Sequence, residues 1–246
     1  MCTLIVAVRH FPRLPLLVAA NRDERYDRPA SAVHRWAGER FVAPRDDEAG
    51  GTWLGVNDQG LFVGITNRSG AVKDDARESR GVLVVEALRA ASASGLHASL
   101  AALRTERFNA FHLLYADTRA AFVTWSDGAS VSQQELAPGT HIVTERSLGG
   151  DDRERTELVR QRLGAIDRSR VPDPESIEAL LKLHGAPHPL GGTCVHVPEV
   201  GYGTRSSAVY FGAERVEDSR LYWAEGQPCT ATYEDRSALV RSLGPR

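Results

Sequence analysis

The chain has 246 residues, 30 of them basic and 32 acidic, which leaves a formal net charge of −2. A balance this even excludes general electrostatic attraction to nucleic acid or to an anionic membrane surface. With 42% hydrophobic residues the chain is long enough to bury a core, so it is not a disordered protein. We expect one domain over residues 1–246.

The three cysteines, Cys2, Cys194 and Cys229, are too few for a disulfide framework and favour a reducing compartment. The apolar runs near the N-terminus are too short, and too poorly placed relative to the positive charges, for an export signal. No run approaches the roughly 20 apolar residues that a membrane helix needs. We therefore expect a cytoplasmic protein without a membrane span.

The first part of the chain predicts strands joined by turns. Apolar runs at residues 2–8 and 14–24 flank a turn with two prolines, which indicates a hairpin. The runs at 50–57 and 61–67 flank an Asp-Gln-Gly turn and indicate a second pair of strands.

Helical spacing then replaces this pattern. Leucine and alanine residues in 81–106 predict two helices with a break near Gly95. Two further helices are predicted at 151–166 and 173–186, the second opened by Asp173 as cap and Pro174 in its first turn.

Strand composition separates and follows these helices. The predicted strands lie on both sides of a turn within 108–128, at 139–145, and in a C-terminal meander at 194–199, 205–212, 219–226 and 230–235. The order of strands, helices, strands, helices and strands favours an α+β fold, with sheets covered by helices rather than a doubly wound parallel sheet.

Cys2 is the first candidate for chemistry. Removal of Met1 is usual before a small residue, and it would give Cys2 both a thiol and a free α-amine. The amine has a pKa of about 7.7–8.0 and can act as the base for its own thiol, as in N-terminal nucleophile hydrolases. A cysteine at the start of an apolar strand also fits a buried structural residue. The choice between these two interpretations of Cys2 therefore depends on other residues.

Polar residues at strand ends supply the further candidates. Residues 21–24, Asn-Arg-Asp-Glu, end the strand that should pair with the Cys2 strand. Asn67 ends another strand, where a side-chain amide can donate to an oxyanion. Arg205 precedes an apolar strand and could hold a carboxylate or favour a thiolate. Each also has a structural interpretation: residues 21–24 fit a solvated strand end, Asn67 a turn residue, and Arg205 an ordinary arginine of an edge strand.

The chain resembles a known family at these same places. The matching motifs are MCTLIVAV at the start, AANRDE at 19–24 with Pro29 after it, GGTWLGVNDQG at 50–60 leading into ITN, and GYGTRSS at 201–207. Together they resemble the NRDE family, also called the transport and Golgi organisation protein 2 family. That family is more remotely similar to choloylglycine hydrolases and penicillin V acylases, and the similarity implies a four-layer αββα sandwich.

The resemblance also implies roles for single residues. Cys2 matches the nucleophile, Asp23 the aspartate that binds the α-amine, Asn67 the oxyanion asparagine, and Arg205 the late arginine near the thiol. We take these four as the catalytic set.

Two positions depart from the hydrolase pattern. Ala20 stands where the hydrolases have an arginine, with Arg22 nearby as a substitute. Glu145 stands where they have a second asparagine, and a carboxylate there would oppose an oxyanion. Asn21, Arg22 and Glu145 are therefore candidates for contact with the substrate.

A cluster of metal-binding residue types lies near the C-terminus: His184, His188, Cys194, His196 and Cys229. The paired C-x₂-C spacing that is typical of structural zinc sites is absent, so we predict no metal site. A single histidine or cysteine can ligate haem, and the resemblance implies a connection with haem trafficking and with acyl-CoA metabolism.

Two functions therefore remain open. The first is a cysteine amidohydrolase that acts on a non-peptide acyl amide and needs no cofactor. The second is a non-catalytic carrier of haem or a lipid-like acyl ligand on the same fold. In both, the partner is a small molecule, and the sequence leaves the oligomeric state undetermined.

Overall fold

The computed structural model describes residues 2–148 and 153–244, and these residues form two antiparallel sheets with five α-helices. The first sheet contains β1 (Cys2–Phe11), β2 (Leu14–Arg25), β10 (Gly139–Val143), β11 (His196–Val197), β12 (Tyr202–Gly212), β13 (Arg220–Glu225) and β14 (Glu234–Asp235). The second sheet contains β3 (Ala30–Arg35), β4 (Phe41–Asp46), β5 (Leu54–Asn57), β6 (Phe62–Asn67), β7 (Phe111–Ala116), β8 (Ala121–Ser126) and β9 (Val131–Glu135). The helices are α1 (Arg80–Ala87), α2 (Ala93–Leu100), α3 (Arg153–Gly164), α4 (Pro174–Leu181) and α5 (Ser237–Arg241).

The strand order places β1, which begins at Cys2, inside the first sheet between β10 and β2. That order is β10-β1-β2-β12-β13-β14, with β11 paired to β12, whereas the second sheet runs consecutively from β3 to β9. The predicted hairpin of β1 and β2 is confirmed, with Leu4 opposite Ala20. The strand β2 also pairs with β12, so strands distant in sequence flank the same strand.

Alternate side chains of β1 enter two different cores. Leu4 and Val6 belong to the large core that joins the two sheets. Ile5 and Ala7 belong to a second core that includes apolar residues of α3 and α4. Because successive side chains of a strand point to opposite faces, a strand buried on both faces needs a continuous apolar run, as the sequence of β1 has.

The helices largely follow the sequence prediction. Asp173 caps α4 through the backbone N–H of Ser176, and Pro174 lies in the first turn. The two helices predicted in 81–106 are α1 and α2, but the break between them lies at 88–92, because Gly95 is inside α2, where its N–H donates to the capping side chain of Ser92. The first two residues of the helix predicted at 151–166 lie outside the described residues.

Several strands differ from the sequence prediction. The strands β3, β4 and β9 were not predicted, and β3 and β9 lie at the edges of the second sheet. Most residues of these two edge strands are only partly buried, so their polar sequences lack a clear apolar run. The predicted strands at 194–199 and 230–235 shrink to two residues each, in β11 and β14.

The helices of the described segments are all too short or too polar to cross a membrane.

A buried histidine makes the stability of this fold sensitive to acid. His112 in β7 is fully buried, and its Nδ1 lies 3.1 Å from the hydroxyl of Thr66 in β6. Burial lowers the pKa of His112 to about 4, and the nearby charge of Arg68 acts in the same direction. The unfolded chain, with a histidine pKa of about 6.5, therefore binds more protons than the native state below that pH.

We expect this single residue to remove about 3 kcal/mol from the free energy of unfolding as the pH falls from 7 to 4. The substitution His112→Gln, which cannot take up a proton in this range, should lose correspondingly less on acidification. Urea unfolding at both pH values measures the difference, with exposed His188→Gln as the matched substitution. An equal acid loss in wild type and His112→Gln would contradict the prediction.

Candidate active site

The pairing of β1 with β2 brings Cys2 next to the polar end of β2. Cys2 lies directly opposite Arg22, and Asp23 follows in the same strand. Burial raises the pKa of the Cys2 thiol to about 11, and the charge of Asp23 acts in the same direction, whereas Arg22 opposes both. The thiol is therefore neutral near pH 7 and needs a base before it can act as a nucleophile.

Asp23 is held from the opposite side of β2. The hydroxyl of Thr204 in β12 donates to Oδ1 of Asp23 at 2.6 Å, and the hydroxyl of Tyr202 donates to the Asp23 backbone carbonyl at 2.9 Å. Asp23 is almost fully buried, and this burial raises the pKa of its carboxyl group. Such a fixed, buried carboxyl group is suited to orient a neighbouring amine.

A cleft of about 320 Å³ opens beside Cys2. Cys2, Asp23 and Asn67 all line it, so three of the four predicted catalytic residues share one cavity. Asn67 is the last residue of β6 and is exposed. The cleft therefore brings a thiol from the first sheet to face an amide side chain from the second sheet.

Arg205 lies elsewhere. The lining of this cleft does not include it, and its Nη1 donates to the backbone carbonyls of Arg25, Tyr26 and Arg28. A bulge in the pairing of β12 with β2 falls at this residue. Arg205 therefore fastens the turn after β2, in contrast to the expected position beside the thiol.

Asn21 also differs from its expected place at a substrate contact. Its side chain is fully buried, and its Nδ2 donates to the carbonyls of Leu181 at 2.9 Å and Thr193 at 2.7 Å. The hydroxyl of Ser207 donates to its Oδ1. Because these bonds use both amide hydrogens and the oxygen, Asn21 ties α4 to the first sheet.

Arg22 does line the cleft, where it belongs to a network of charges. Its Nη2 lies 3.1 Å from Oδ2 of Asp46 at the end of β4, and Nε of Arg28 lies 2.8 Å from the same oxygen. Glu24 is within 3.9 Å of Arg22 and 3.8 Å of Arg28. This network holds the guanidinium of Arg22, which lines the cleft and whose residue pairs with Cys2 across the two strands.

Arg80, which belongs to none of the sequence motifs above, also lines the cleft. It is the first residue of α1, and its Nη1 donates to the carbonyl of Ala110 at 3.0 Å. Burial lowers the pKa of Arg80, and the negative charge of a Cys2 thiolate would raise it again. An arginine in the first turn of a helix is generally unfavourable, because that end of the helix dipole is positive. The position of Arg80 at the start of a predicted helix was therefore the one sequence signal for a functional role.

The glycine motif at 50–60 explains how Arg80 reaches the cleft. A Cβ on Gly51 would lie 2.4 Å from the backbone carbon of Gly81, so a side chain cannot be accommodated there without movement of the backbone. The N–H of Thr52 also donates to the carbonyl of Gly81. This close approach sets the start of α1, and with it Arg80, against the cleft wall.

Glu145 follows β10, the neighbour of β1, and is buried. Its carboxylate lies 3.3 Å from Nη1 of Arg155, a fully buried residue of α3. The same Nη1 donates to the hydroxyl of Thr3 at 3.2 Å. The carboxylate of Glu145 therefore has a counter-ion in Arg155.

Glu145 and Asn67 together line a second cavity of about 320 Å³. This cavity shares Asn67, Lys73, Arg80 and Asn109 with the Cys2 cleft, so the two adjoin. Glu145 thus lies near the cleft, with its charge already paired.

Four of the five histidines and cysteines considered above as possible metal ligands lie close together outside this cleft. The potential ligand atoms of His184, Cys194, His196 and Cys229 all lie within 4.8 Å of one another. The structure thus brings together four potential ligands that are not adjacent in the sequence.

Comparison with solved structures shows which class of protein has this fold. The structure is similar to a Caenorhabditis elegans N-acylethanolamine-hydrolyzing acid amidase ortholog, with a TM-score of 0.58 and 15% identity, covering 86% of this chain and 93% of that one. It is also similar to the C2A mutant of the conjugated bile acid hydrolase from Clostridium perfringens, with a TM-score of 0.56 and 10% identity. That match covers 97% of this chain and 93% of the hydrolase chain. These neighbours are N-terminal nucleophile hydrolases, so the chain has a fold like theirs.

The sequence profile described as Transport and Golgi organisation 2 matches residues 1–215, and the chain belongs to that family. A Transport and Golgi organization protein 2 homolog from Bos taurus is 28% identical over 225 residues, which cover 79% of this chain and 80% of the relative. The homolog from Homo sapiens is 25% identical over 264 residues, with 93% and 88% covered.

Proposed function

We propose that the protein is an N-terminal-nucleophile-type cysteine amidohydrolase on a four-layer αββα sandwich, and that it cleaves a non-peptide acyl amide. The observation that carries the proposal is the shared cleft of Cys2, Asp23 and Asn67. The similarity in fold to an acid amidase and a bile acid hydrolase supports it.

The proposal requires a chain that begins at Cys2. Met1 lies outside the described residues, so its removal stays a prediction that intact-mass measurement can check. The free α-amine of Cys2 then takes the proton of the thiol, whose pKa is raised by burial and which would otherwise stay protonated. Buried Asp23 orients the amine, and the positive charge of Arg22 stabilises the thiolate.

The thiolate of Cys2 attacks the carbonyl carbon of the amide, and the carbonyl oxygen becomes an oxyanion. The amide of Asn67, together with a backbone N–H, donates to that oxygen. The α-ammonium returns its proton to the leaving amine as the carbon–nitrogen bond breaks, which leaves a thioester on Cys2. Water, deprotonated by the same α-amine, attacks the thioester and releases the carboxylic acid and the thiol.

A panel of N-acyl amides tests this mechanism. We expect acyl-enzyme formation on Cys2, seen as a mass increase on the N-terminal peptide, with the peptides of Cys194 and Cys229 as internal controls. The competing hypothesis of a haem carrier predicts stoichiometric haem binding, followed by absorbance, without any adduct. That second outcome, in a chain shown to begin at Cys2, would overturn the hydrolase proposal.

A further inference from the structure

We propose that His184, Cys194, His196 and Cys229 form a structural zinc site. The proposal concerns residues that do not line the Cys2 cleft, and it does not depend on the hydrolase proposal. It reverses the expectation of no metal site, which rested on ligand spacing in the sequence.

The four donors already have nearly the spacing that a tetrahedral ion imposes. Nε2 of His196 lies 3.3 Å from Sγ of Cys194 and 3.4 Å from Sγ of Cys229, and all four donor atoms lie within 4.8 Å of one another. Zinc bonds of about 2.3 Å to sulfur and about 2.0–2.1 Å to nitrogen place tetrahedral donors about 3.4–3.8 Å apart. Small side-chain movements would complete the site.

The donor set points to zinc rather than to other divalent cations. Two thiolates and two imidazoles in a tetrahedral arrangement suit Zn²⁺, whereas magnesium and calcium prefer oxygen ligands. Binding converts both thiols to thiolates and releases their two protons to solvent. Two thiolates balance the charge of the ion, so the occupied site is electrically neutral.

The spacing in the sequence does not indicate this site because the ligands come from three separate segments. His184 follows α4, Cys194 precedes β11, His196 is the first residue of β11, and Cys229 lies in a turn after β13. That turn is fixed by the N–H groups of Thr230 and Ala231, which both donate to the carbonyl of Gln227.

The backbone around Cys194 is also fixed. Its N–H donates to the carbonyl of Leu183 at 2.9 Å, which joins the segments that carry His184 and Cys194. The hydroxyl of Thr193, the residue before it, donates to the carbonyl of Leu180 at 2.7 Å. The ligands therefore occupy segments that are positioned independently of any ion, as a selective metal site requires.

The zinc site would stabilise the backbone that supports Asp23. Val195, between two ligands, donates its N–H to the hydroxyl of Thr204 at 2.9 Å and accepts the N–H of Thr204 at 2.9 Å. That hydroxyl donates in turn to Asp23. An ion that holds Cys194 and His196 therefore keeps Thr204 in the position where it binds the carboxylate.

Metal analysis of the full-length protein tests the site. Protein purified under reducing conditions from zinc-supplemented medium should hold one zinc ion per chain by mass spectrometry. Replacement by Co²⁺ should give the sulfur-to-cobalt charge-transfer band and the visible absorption of a tetrahedral thiolate site. Less than a tenth of an equivalent of zinc, without a cobalt spectrum after reconstitution of the chelated protein, would overturn the proposal.

A protection experiment on the wild-type chain needs no substitution. Alkylation should spare Cys229 in the zinc-loaded protein and modify it after chelation, whereas Cys194 is buried and should stay largely unlabelled in both samples. Equal labelling of Cys229 with and without zinc would contradict the site. A disulfide between Cys194 and Cys229 that persists under reducing conditions would also contradict it.

Substitutions then identify the ligands. Cys229→Ser and His196→Ala should each reduce retained zinc roughly tenfold or more. His188→Ala is the matched control, because His188 lies exposed in the same loop and outside the cluster. An equal loss of zinc in His188→Ala would contradict the assignment, and the cobalt spectrum of the wild type keeps it testable if a ligand variant fails to fold.

Discussion

An extension that blocks the α-amine of Cys2 is expected to reduce acyl-enzyme formation by about 10²–10⁴-fold, the usual contribution of a positioned general base. The physical reason is the neutral thiol: with a pKa of about 11, almost none of the thiol is ionised near pH 7 without a base beside it. An extended chain keeps the thiol and the cleft but converts the amine into a peptide nitrogen, which cannot accept a proton.

One preparation can provide both states. A chain carrying a protease site immediately before Cys2 is assayed before and after cleavage, with adduct formation on Cys2 followed by intact mass. The Cys2→Ala variant, cleaved in the same way, gives the background labelling of the other two cysteines. If the extended and cleaved chains form adduct at the same rate, the amine is not the base and the proposed mechanism fails.

The strands that surround Cys2 were predictable because their signals are local. The apolar runs of β1 and β2, separated by a short turn, indicate a hairpin directly. The pairing of Asp23 with Thr204 joins residues far apart in the chain, and no local pattern encodes it. The family motifs nevertheless single out both segments, and Cys2, Asp23 and Asn67 do line one cleft, while their catalytic roles stay a prediction.

Side-chain direction was the main feature that the sequence could not supply. Arg205 follows Thr204, the residue paired with Asp23, but a bulge in β12 falls at Arg205 and its guanidinium binds the turn after β2. Asn21 lies two residues before Asp23, yet its amide serves α4. Arg80 reaches the cleft only because two glycine backbones touch, a contact between different segments.

The partner of a buried charge is likewise not encoded by a local sequence pattern. The sequence shows only that Glu145 places a carboxylate where the related hydrolases have an asparagine. Its partner, Arg155, comes from a helix that the sequence places ten residues away, with no spacing rule that links them. Whether a buried charge is a defect or part of a pair depends on tertiary packing, and here the packing supplies the pair.

Glu145→Gln is accordingly expected to lower the free energy of unfolding by about 3–5 kcal/mol, because it leaves the charge of Arg155 buried without its counter-ion. Both side chains are nearly inaccessible, at 8% and 1% exposure, so solvent cannot compensate for the loss. Urea unfolding at pH 7 measures the change. Glu39→Gln is the matched control, since its pair with Arg89 is partly exposed to solvent and should contribute about 1 kcal/mol or less.

The double variant Glu145→Gln with Arg155→Met tests the cause. Removing both charges should recover most of the lost stability, because replacing a whole buried pair by neutral groups is often nearly neutral. The pairing also predicts that Glu145→Gln gives no gain in acyl-enzyme formation on Cys2, since the charge it removes is already balanced. A stable Glu145→Gln variant with faster acylation would show instead that Glu145 acts on the oxyanion as an unpaired charge.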